Sequence, residues 1–215
     1  MIRILCLCLG LFTSVVAVAQ NSFRSRQTGP WNQSATWEEF IAGSWQLTAS
    51  TPTFASGTIT ILNGHNVTVS ANVTIDETTV QQSGIITVMT GIAVTLNNGN
   101  LTDLTSSGLI ALEGESFIDG AGSFTMNGTA VLQLGSLNNT GALTSGITLG
   151  NVRVSGVRTY LTGSRFMYNG TMPQIIGSGH PGNSGPTGIF TEINNSNGVS
   201  FDTNAGSNFT GGGTL

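Results

Sequence analysis

From Ile59 to Leu149 the sequence repeats one pattern, a short burst of β-branched and aliphatic residues followed by a break at glycine or asparagine. The bursts are Ile59-Thr-Ile-Leu62, Val67-Thr-Val69, Val73-Thr-Ile75, Ile85-Ile-Thr-Val88, Val94-Thr-Leu96, Leu109-Ile-Ala-Leu112, Phe117-Ile118, Phe124-Thr-Met126, Val131-Leu-Gln-Leu134 and Ile147-Thr-Leu149. Short strands at near-regular spacing, with turn residues between them, are typical of an all-β chain built by repetition.

The breaks between the bursts favour stacked coils over a sandwich. Asn63-Gly64, Asn97-Asn98-Gly99 and Asn127-Gly128 place residues that tolerate a left-handed backbone where tight corners are needed. Three strand-and-corner units make a coil of roughly 22–25 residues, and coils stack about 4.8 Å apart. We therefore predict a right-handed parallel β-helix, or β-solenoid. A β-sandwich or jelly roll is the alternative, but it needs longer strands joined by hairpins.

The alternation within each burst predicts which side chains point outward. The central threonines are expected on the outside and their Val, Ile and Leu neighbours in the core; the threonines are Thr60, Thr68, Thr74, Thr87 and Thr95.

The chain divides into three regions. Residues 1–19 are predicted to be a signal peptide, with Arg3 before an apolar stretch and a cleavage signal at Ala17-Val18-Ala19. Residues 20–56 are predicted to be an irregular, tryptophan-rich N-terminal cap with at most one helical turn near Ala35 to Ile41, which Ser34 would cap. Residues 57–215 are predicted to be β-helix repeats. The stretch from Phe209 to Leu215 reads as a turn followed by the opening of another strand, so we expect a truncated product or the front part of a longer protein.

Composition excludes several functional classes. The only cysteines, Cys6 and Cys8, lie in the predicted signal peptide, so we expect no disulfides in the mature chain. The sequence has no lysine and a net charge of −4, which excludes the clustered positive charge that nucleic-acid binding requires. Past the signal peptide no segment is long and apolar enough to span a membrane.

Charged residues give only weak signs of an active site. Glu113 and Glu115 could form a glycosidase pair with Asp119 nearby, but Gly114 between them indicates a turn. A lyase would need a basic residue, and Arg153, Arg158 and Arg165 are the ones available nearby. We interpret these groups as solvated surface charges.

No cofactor or metal is predicted. Asp76-Glu77 and Asp119-Gly-Ala-Gly122 lack the repeated motif of calcium-binding solenoids. His65 and His180 are far apart in the sequence and read as turn residues rather than zinc ligands.

Aromatic residues are the best candidates for ligand contact. Trp31, Trp37, Trp45, Tyr160 and Tyr168 offer flat apolar rings with a polar edge, on which sugar rings stack. The alternative is that the tryptophans cover the open end of the solenoid, where strand edges would otherwise be exposed.

Two stretches resemble large surface and secreted proteins of the Bacteroidetes. Trp31-Asn-Gln-Ser-Ala-Thr-Trp37 followed by Ile59-Thr-Ile-Leu-Asn-Gly-His-Asn-Val-Thr-Val69 resembles their N-terminal pattern. Met167-Tyr-Asn-Gly-Thr171, Gln174 and Glu192-Ile-Asn-Asn-Ser-Asn-Gly-Val199 are similar to their repeat. The resemblance implies an exported parallel β-helix, usually with a C-terminal sorting domain for type IX secretion. That domain is absent here, and Pro52 to Thr58 lacks the aspartate expected before the first strand.

These observations predict an exported, non-catalytic bacterial scaffold, secreted or held at the outside of the outer membrane, with a structural or adhesin-like role. Its predicted partners are surface glycans or other surface proteins. The alternatives are a carbohydrate-binding module of a larger protein and a polysaccharide lyase or hydrolase.

Overall fold

The computed structural model describes residues 20–182 and 188–201. The predicted signal peptide and the stretch from Phe209 to Leu215 lie outside the described residues.

The described chain consists of short strands, with one 3-10 turn at Ser34–Thr36. The first strands are β1 (Phe23–Ser25), β2 (Gly29–Pro30), β3 (Trp37–Ile41), β4 (Ser44–Leu47), β5 (Ile59–Ile61), β6 (Asn66–Val69), β7 (Val73–Ile75), β8 (Thr78–Val80), β9 (Ile85–Val88) and β10 (Ala93–Leu96). They continue as β11 (Leu104–Ser106), β12 (Leu109–Leu112), β13 (Phe117–Gly120), β14 (Phe124–Met126), β15 (Val131–Leu134), β16 (Arg158–Tyr160), β17 (Arg165–Tyr168), β18 (Gln174–Ile175), β19 (Phe190–Ile193) and β20 (Val199–Ser200).

The strands form three main sheets that the chain visits in rotation. Sheet A has the order β16-β14-β11-β8-β5-β1-β3-β4, sheet B the order β19-β17-β15-β12-β9-β6-β2, and sheet C the order β13-β10-β7. From β5 to β13 the chain passes from A to B to C and begins again, and each strand pairs in parallel with the next strand of its sheet. The prediction of an all-β chain with parallel strands is confirmed.

Alternating burial follows from this arrangement. Ile59 and Ile61 are fully buried whereas Thr60 between them is partly exposed, and Val67, Thr68 and Val69 repeat the pattern. The predicted outward threonines of β5, β6, β7, β9 and β10 are all partly exposed, which confirms that prediction. The buried side chains form one continuous hydrophobic core, in which Trp37, Tyr168, Phe124 and Phe166 are the largest.

The N-terminal segment is more regular than predicted. β1 pairs in parallel with β5, and β2 with β6, so residues 20–56 contribute a strand to sheets A and B. Of the helical turn predicted near Ala35 to Ile41, only the 3-10 turn at Ser34–Thr36 forms, and its N-cap is Gln33 rather than Ser34. β3 follows directly and is antiparallel to both β1 and β4. The β3–β4 hairpin therefore extends sheet A past β1, and β4 is its outermost strand.

Two further differences concern single strands. Ile147 to Leu149, predicted as a strand, forms bends, and both residues are exposed. The predicted series also missed β8 and β11, whose single large apolar residues, Val80 and Leu104, do not stand out among Thr and Ser.

Candidate functional site

A groove lies along the corners that follow the strands of sheet B. Its volume is about 470 Å³. It is lined by Thr90 after β9, by Glu113, Gly114 and Glu115 after β12, by Gln133, Gly135 and Leu137 on and after β15, and by Asn169, Gly170 and Thr171 after β17. Because these strands are neighbours in sheet B, the groove crosses successive corners of the stack. We call it the corner groove.

Buried amide side chains fix the shape of these corners. Asn151, which is fully buried, donates from Nδ2 to the carbonyl oxygens of Gly114 (2.9 Å) and Ser116 (2.6 Å). Its Oδ1 accepts from the Ser136 backbone N–H at 2.8 Å. A side chain from the irregular segment after β15 thus holds two neighbouring corners together.

Gln174 does the same one corner later. Its Nε2 donates to the carbonyl oxygens of Leu134 and Ser136, both at 3.0 Å, and its Oε1 accepts from the Gly170 backbone N–H. Asn195 then donates to Gln174 Oε1 at 3.0 Å and to the Met172 carbonyl oxygen at 2.7 Å. The walls of the groove are therefore held by side-chain hydrogen bonds and not only by loop conformation.

The two carboxylates of the groove differ in their partners. Glu115 accepts hydrogen bonds from the Ser136 hydroxyl at 2.9 Å and from the Leu137 backbone N–H at 2.7 Å, so both of its oxygens support the next corner. Glu113 is exposed and has no side-chain hydrogen bond among the described residues. Gly114 has a φ of 48° and lies in a turn, as the sequence indicated. Asp119 lies on β13 and does not line the groove.

Among the side chains that line the groove, Asn169 is the one with a buried polar atom that lacks a partner within the described residues. Its Oδ1 is buried and has no hydrogen-bond partner among the described residues. Buried side-chain acceptors are normally paired, so this atom is an exception that calls for an explanation.

The outer face of sheet A carries a second regular feature, a row of threonines in register. Thr60, Thr79, Thr105, Thr125 and Thr159 lie opposite one another on β5, β8, β11, β14 and β16. All five are at least partly exposed, and within the described residues none of their hydroxyls has a hydrogen-bond partner. We call this row the threonine ladder. It continues to Arg24 on β1, which pairs with Glu38 at 2.7 Å.

The five aromatic candidates do not form one site. Trp31, Trp37 and Tyr168 are 4%, 0% and 0% exposed, so the prediction that they stack on sugars is corrected: their ring faces are covered by the core. The rings of Trp31 and Trp37 pack edge to face at 4.9 Å, and the Trp37 Nε1–H donates to the Trp31 carbonyl oxygen at 2.8 Å. Both therefore lie within the N-terminal part of the core, in keeping with the alternative that they cover this end.

Trp45 and Tyr160 are partly exposed. Trp45 lies beside Phe40 with the Arg24 guanidinium 4.5 Å from its ring centre, so part of its surface is occupied. Tyr160 packs between Phe124 and Phe166, and its buried hydroxyl has no partner within the described residues. Burial raises the pKa of this hydroxyl to about 12.

Buried acids occupy a different corner. Asp76 and Asp103 are 6% and 1% exposed. Burial and a hydrogen bond with Asp103 raise the pKa of Asp76, whereas burial of Asp103 is outweighed by hydrogen bonds from Ser123 and Gly99, which lower its pKa. Within the described residues no group of three or more His, Cys, Asp or Glu side chains is placed to hold a metal ion.

The histidines lie apart, and each has a local role. The Ser25 hydroxyl lies 2.9 Å from His65 Nδ1, but Ser25 is fully buried and also accepts from the Leu62 backbone N–H. His180 packs against Phe166 at 5.0 Å, and its Nε2 lies 3.0 Å from the Thr191 hydroxyl. Burial lowers the pKa of His180 to about 4.

Each of the three arginines considered for a lyase has another partner. Arg158 donates to the carbonyl oxygens of Thr144, Gly146 and Val154. The guanidinium of Arg153 lies over the Phe117 ring at 3.9 Å, and Arg165 pairs with Glu192 at 2.9 Å.

Sequence reasoning did not identify the corner groove as a site. It singled out two parts of the groove separately, the Glu113 and Glu115 pair and the repeat-like stretch with Asn169 and Gly170, but it did not bring them together. Asn151 gave no signal, because its partner Gly114 is distant in the sequence.

No helix among the described residues is long and apolar enough to cross a membrane. No family model, no curated protein and no solved structure matches this chain.

Proposed function

We propose that this chain is a region of an exported, non-catalytic bacterial surface protein with a structural or adhesin-like role, folded as a right-handed parallel β-helix. The rotation of the chain through sheets A, B and C, with parallel pairing at every return, supports a coiled path. Right-handed crossovers are the strong preference between parallel strands of one sheet, which supports the handedness.

The threonine ladder is the observation that carries the functional proposal. Five hydroxyls without a hydrogen-bond partner among the described residues stand in register on one sheet face, at the spacing of about 4.8 Å that separates neighbouring strands. Such a face contacts another surface through many weak polar interactions, which together give avidity without a deep pocket. Surface glycans and other surface proteins are the proposed partners, and the export signal and the resemblance support the location.

Cell fractionation tests this proposal. An antibody raised against residues 20–201 should label intact cells and should detect the protein in the outer-membrane or extracellular fraction. Labelling only after lysis, with the protein in the cytoplasmic fraction, would contradict export. A periplasmic lipoprotein and a cytoplasmic protein serve as fractionation controls.

Carbohydrate binding as a module of a larger protein is the second candidate function. The corner groove favours it, because a preformed concavity lined by a few polar groups is how proteins hold small ligands.

A further inference from the structure

We propose that the corner groove binds a short, non-anionic oligosaccharide and that Asn169 provides its main hydrogen-bonding group. The proposal deepens the second candidate function and rests on it. It starts from the difference between Asn169 and its neighbours. The side chains of Glu115, Asn151 and Gln174 all form hydrogen bonds that hold corners together. The buried Oδ1 of Asn169 is paired with nothing among the described residues.

An acceptor of this kind fits a donor that arrives from outside the protein. Leaving a buried acceptor unpaired lowers the stability of the fold, and no contact of Asn169 Oδ1 within the described residues compensates for that loss. The last torsion of an asparagine side chain is broad, so a turn of the amide presents Oδ1 to the groove. Asn169 itself lines the groove, and the Gly170 N–H beside it is already used by Gln174.

The charge of the lining restricts the ligand. Glu113 and Glu115 bring two carboxylates, and no basic residue lines the groove. An anionic ligand would be repelled. The amide of Gln133 and the hydroxyls of Thr90 and Thr171 can each donate and accept, and they have no side-chain partner among the described residues. Sugar hydroxyls also donate and accept, so they match this set.

The length of the groove points to several sugar units. It crosses the corners after β9, β12, β15 and β17, which are successive neighbours in sheet B. Corners spaced at the strand separation of about 4.8 Å span roughly 14 Å, the length of a short oligosaccharide rather than of one sugar.

Calorimetric titration of the full chain tests the proposal. The probes are neutral tetrasaccharides derived from β-1,4-glucan, β-1,4-mannan, β-1,4-xylan and chitin, with a tetrasaccharide of alginate as the anionic comparison. We expect binding to at least one neutral probe, weaker binding to the matching disaccharide, and none to the alginate fragment.

Asn169→Leu should weaken that binding by at least about ten-fold, while its melting temperature in the absence of sugar stays equal to or above that of the wild type. The substitution removes a buried unpaired acceptor, so a structural role predicts the opposite. Asn63→Leu, at an exposed corner after β5 and outside the groove, is the matched control and should bind like the wild type. Should Asn169→Leu not fold, Thr171→Val tests the same groove and should weaken binding several-fold.

Four results would overturn the proposal: no binding to any neutral probe, full affinity in both groove variants, saturable binding of Ca²⁺ alone that Asn169→Leu abolishes, or release of shorter sugars from the probe. The last two would make the groove a cation site or an active site. Sugar binding in solution does not depend on where the cell places the protein. The titration therefore tests the groove and the fractionation tests export, and either proposal can be refuted without the other.

Discussion

At the scale of single residues, Trp37 shows how much of this fold depends on one side chain. It is fully buried, packs on the Trp31 ring and donates its indole N–H to the backbone of Trp31. Trp37→Ala should lower the free energy of unfolding by about 3–5 kcal/mol, because it leaves a large cavity and an unpaired carbonyl. Urea denaturation followed by circular dichroism measures this. Trp45→Ala on the exposed hairpin is the control, and an equal loss there would contradict the assignment of Trp37 to the core.

His180 gives the molecule a pH dependence of known sign. Its pKa in the folded state is about 4, below the ordinary value of 6.5, because the ring is buried. A histidine that is hard to protonate in the fold stabilises the protein fully above its unfolded pKa, and this contribution is lost as the pH falls from 6.5 towards 4. The free energy of unfolding should therefore decrease over that range, and His180→Gln should show a shallower decrease. Identical slopes for the two proteins would disprove this.

Residue types alone predicted the alternation of threonine and aliphatic residues but not the exposure of the aromatics. Val67-Thr-Val69 can bury its two valines only with the threonine outward, so the pattern determines the outcome. Tyr168 lies at the end of β17, and its ring is close to Ile176 and His180. The positions of these two residues cannot be predicted from the alternation, so the burial of the Tyr168 ring could not be predicted either.

At the scale of elements, the corners limit the sequence more strictly than the strands do. A Cβ on Gly135 would stand 2.4 Å from the Gly114 backbone nitrogen of the neighbouring corner, too close for any side chain. Gly135→Ala should lower the free energy of unfolding by about 1–3 kcal/mol through overpacking. Gly146→Ala, where the nearest atom would be 4.0 Å away, is the matched control and should change stability by less than about 0.5 kcal/mol. Thermal and urea unfolding both report the difference, and equal effects would contradict the close approach of the corners.

Two of the strands that sequence reasoning missed share a cause. β8 and β11 each carry only one large apolar residue, and the core around them is filled by side chains from other strands. Ile147 to Leu149 carries two large apolar residues yet forms no strand, because it lies in the irregular segment between β15 and β16 where Val152 alone bridges to sheet C. The number of large apolar residues therefore does not by itself decide where a strand forms in this chain.

At the scale of the whole molecule, the repetition of the sequence predicted parallel sheets but not the groove. Asn151 and Gln174 are close to their partners in space but 37 and 40 residues away from Gly114 and Leu134 in the sequence, so no local pattern predicts these contacts. Repetition predicts the parallel strands. It does not show which corner side chains bond to a neighbouring corner and which, like Asn169, have an atom without a partner among the described residues.

The order of strands in sheets A and B has a mechanical consequence. Backbone hydrogen bonds between neighbouring strands of sheet A run across the strands, from β5 through β8, β11 and β14 to β16. Tension applied across the sheet, at right angles to its strands, therefore loads these bonds in series, and a terminal strand can detach while the others stay paired. Extension should proceed strand by strand at modest force, with work dissipated at every step. A sheet loaded in this direction lengthens under sudden tension instead of breaking.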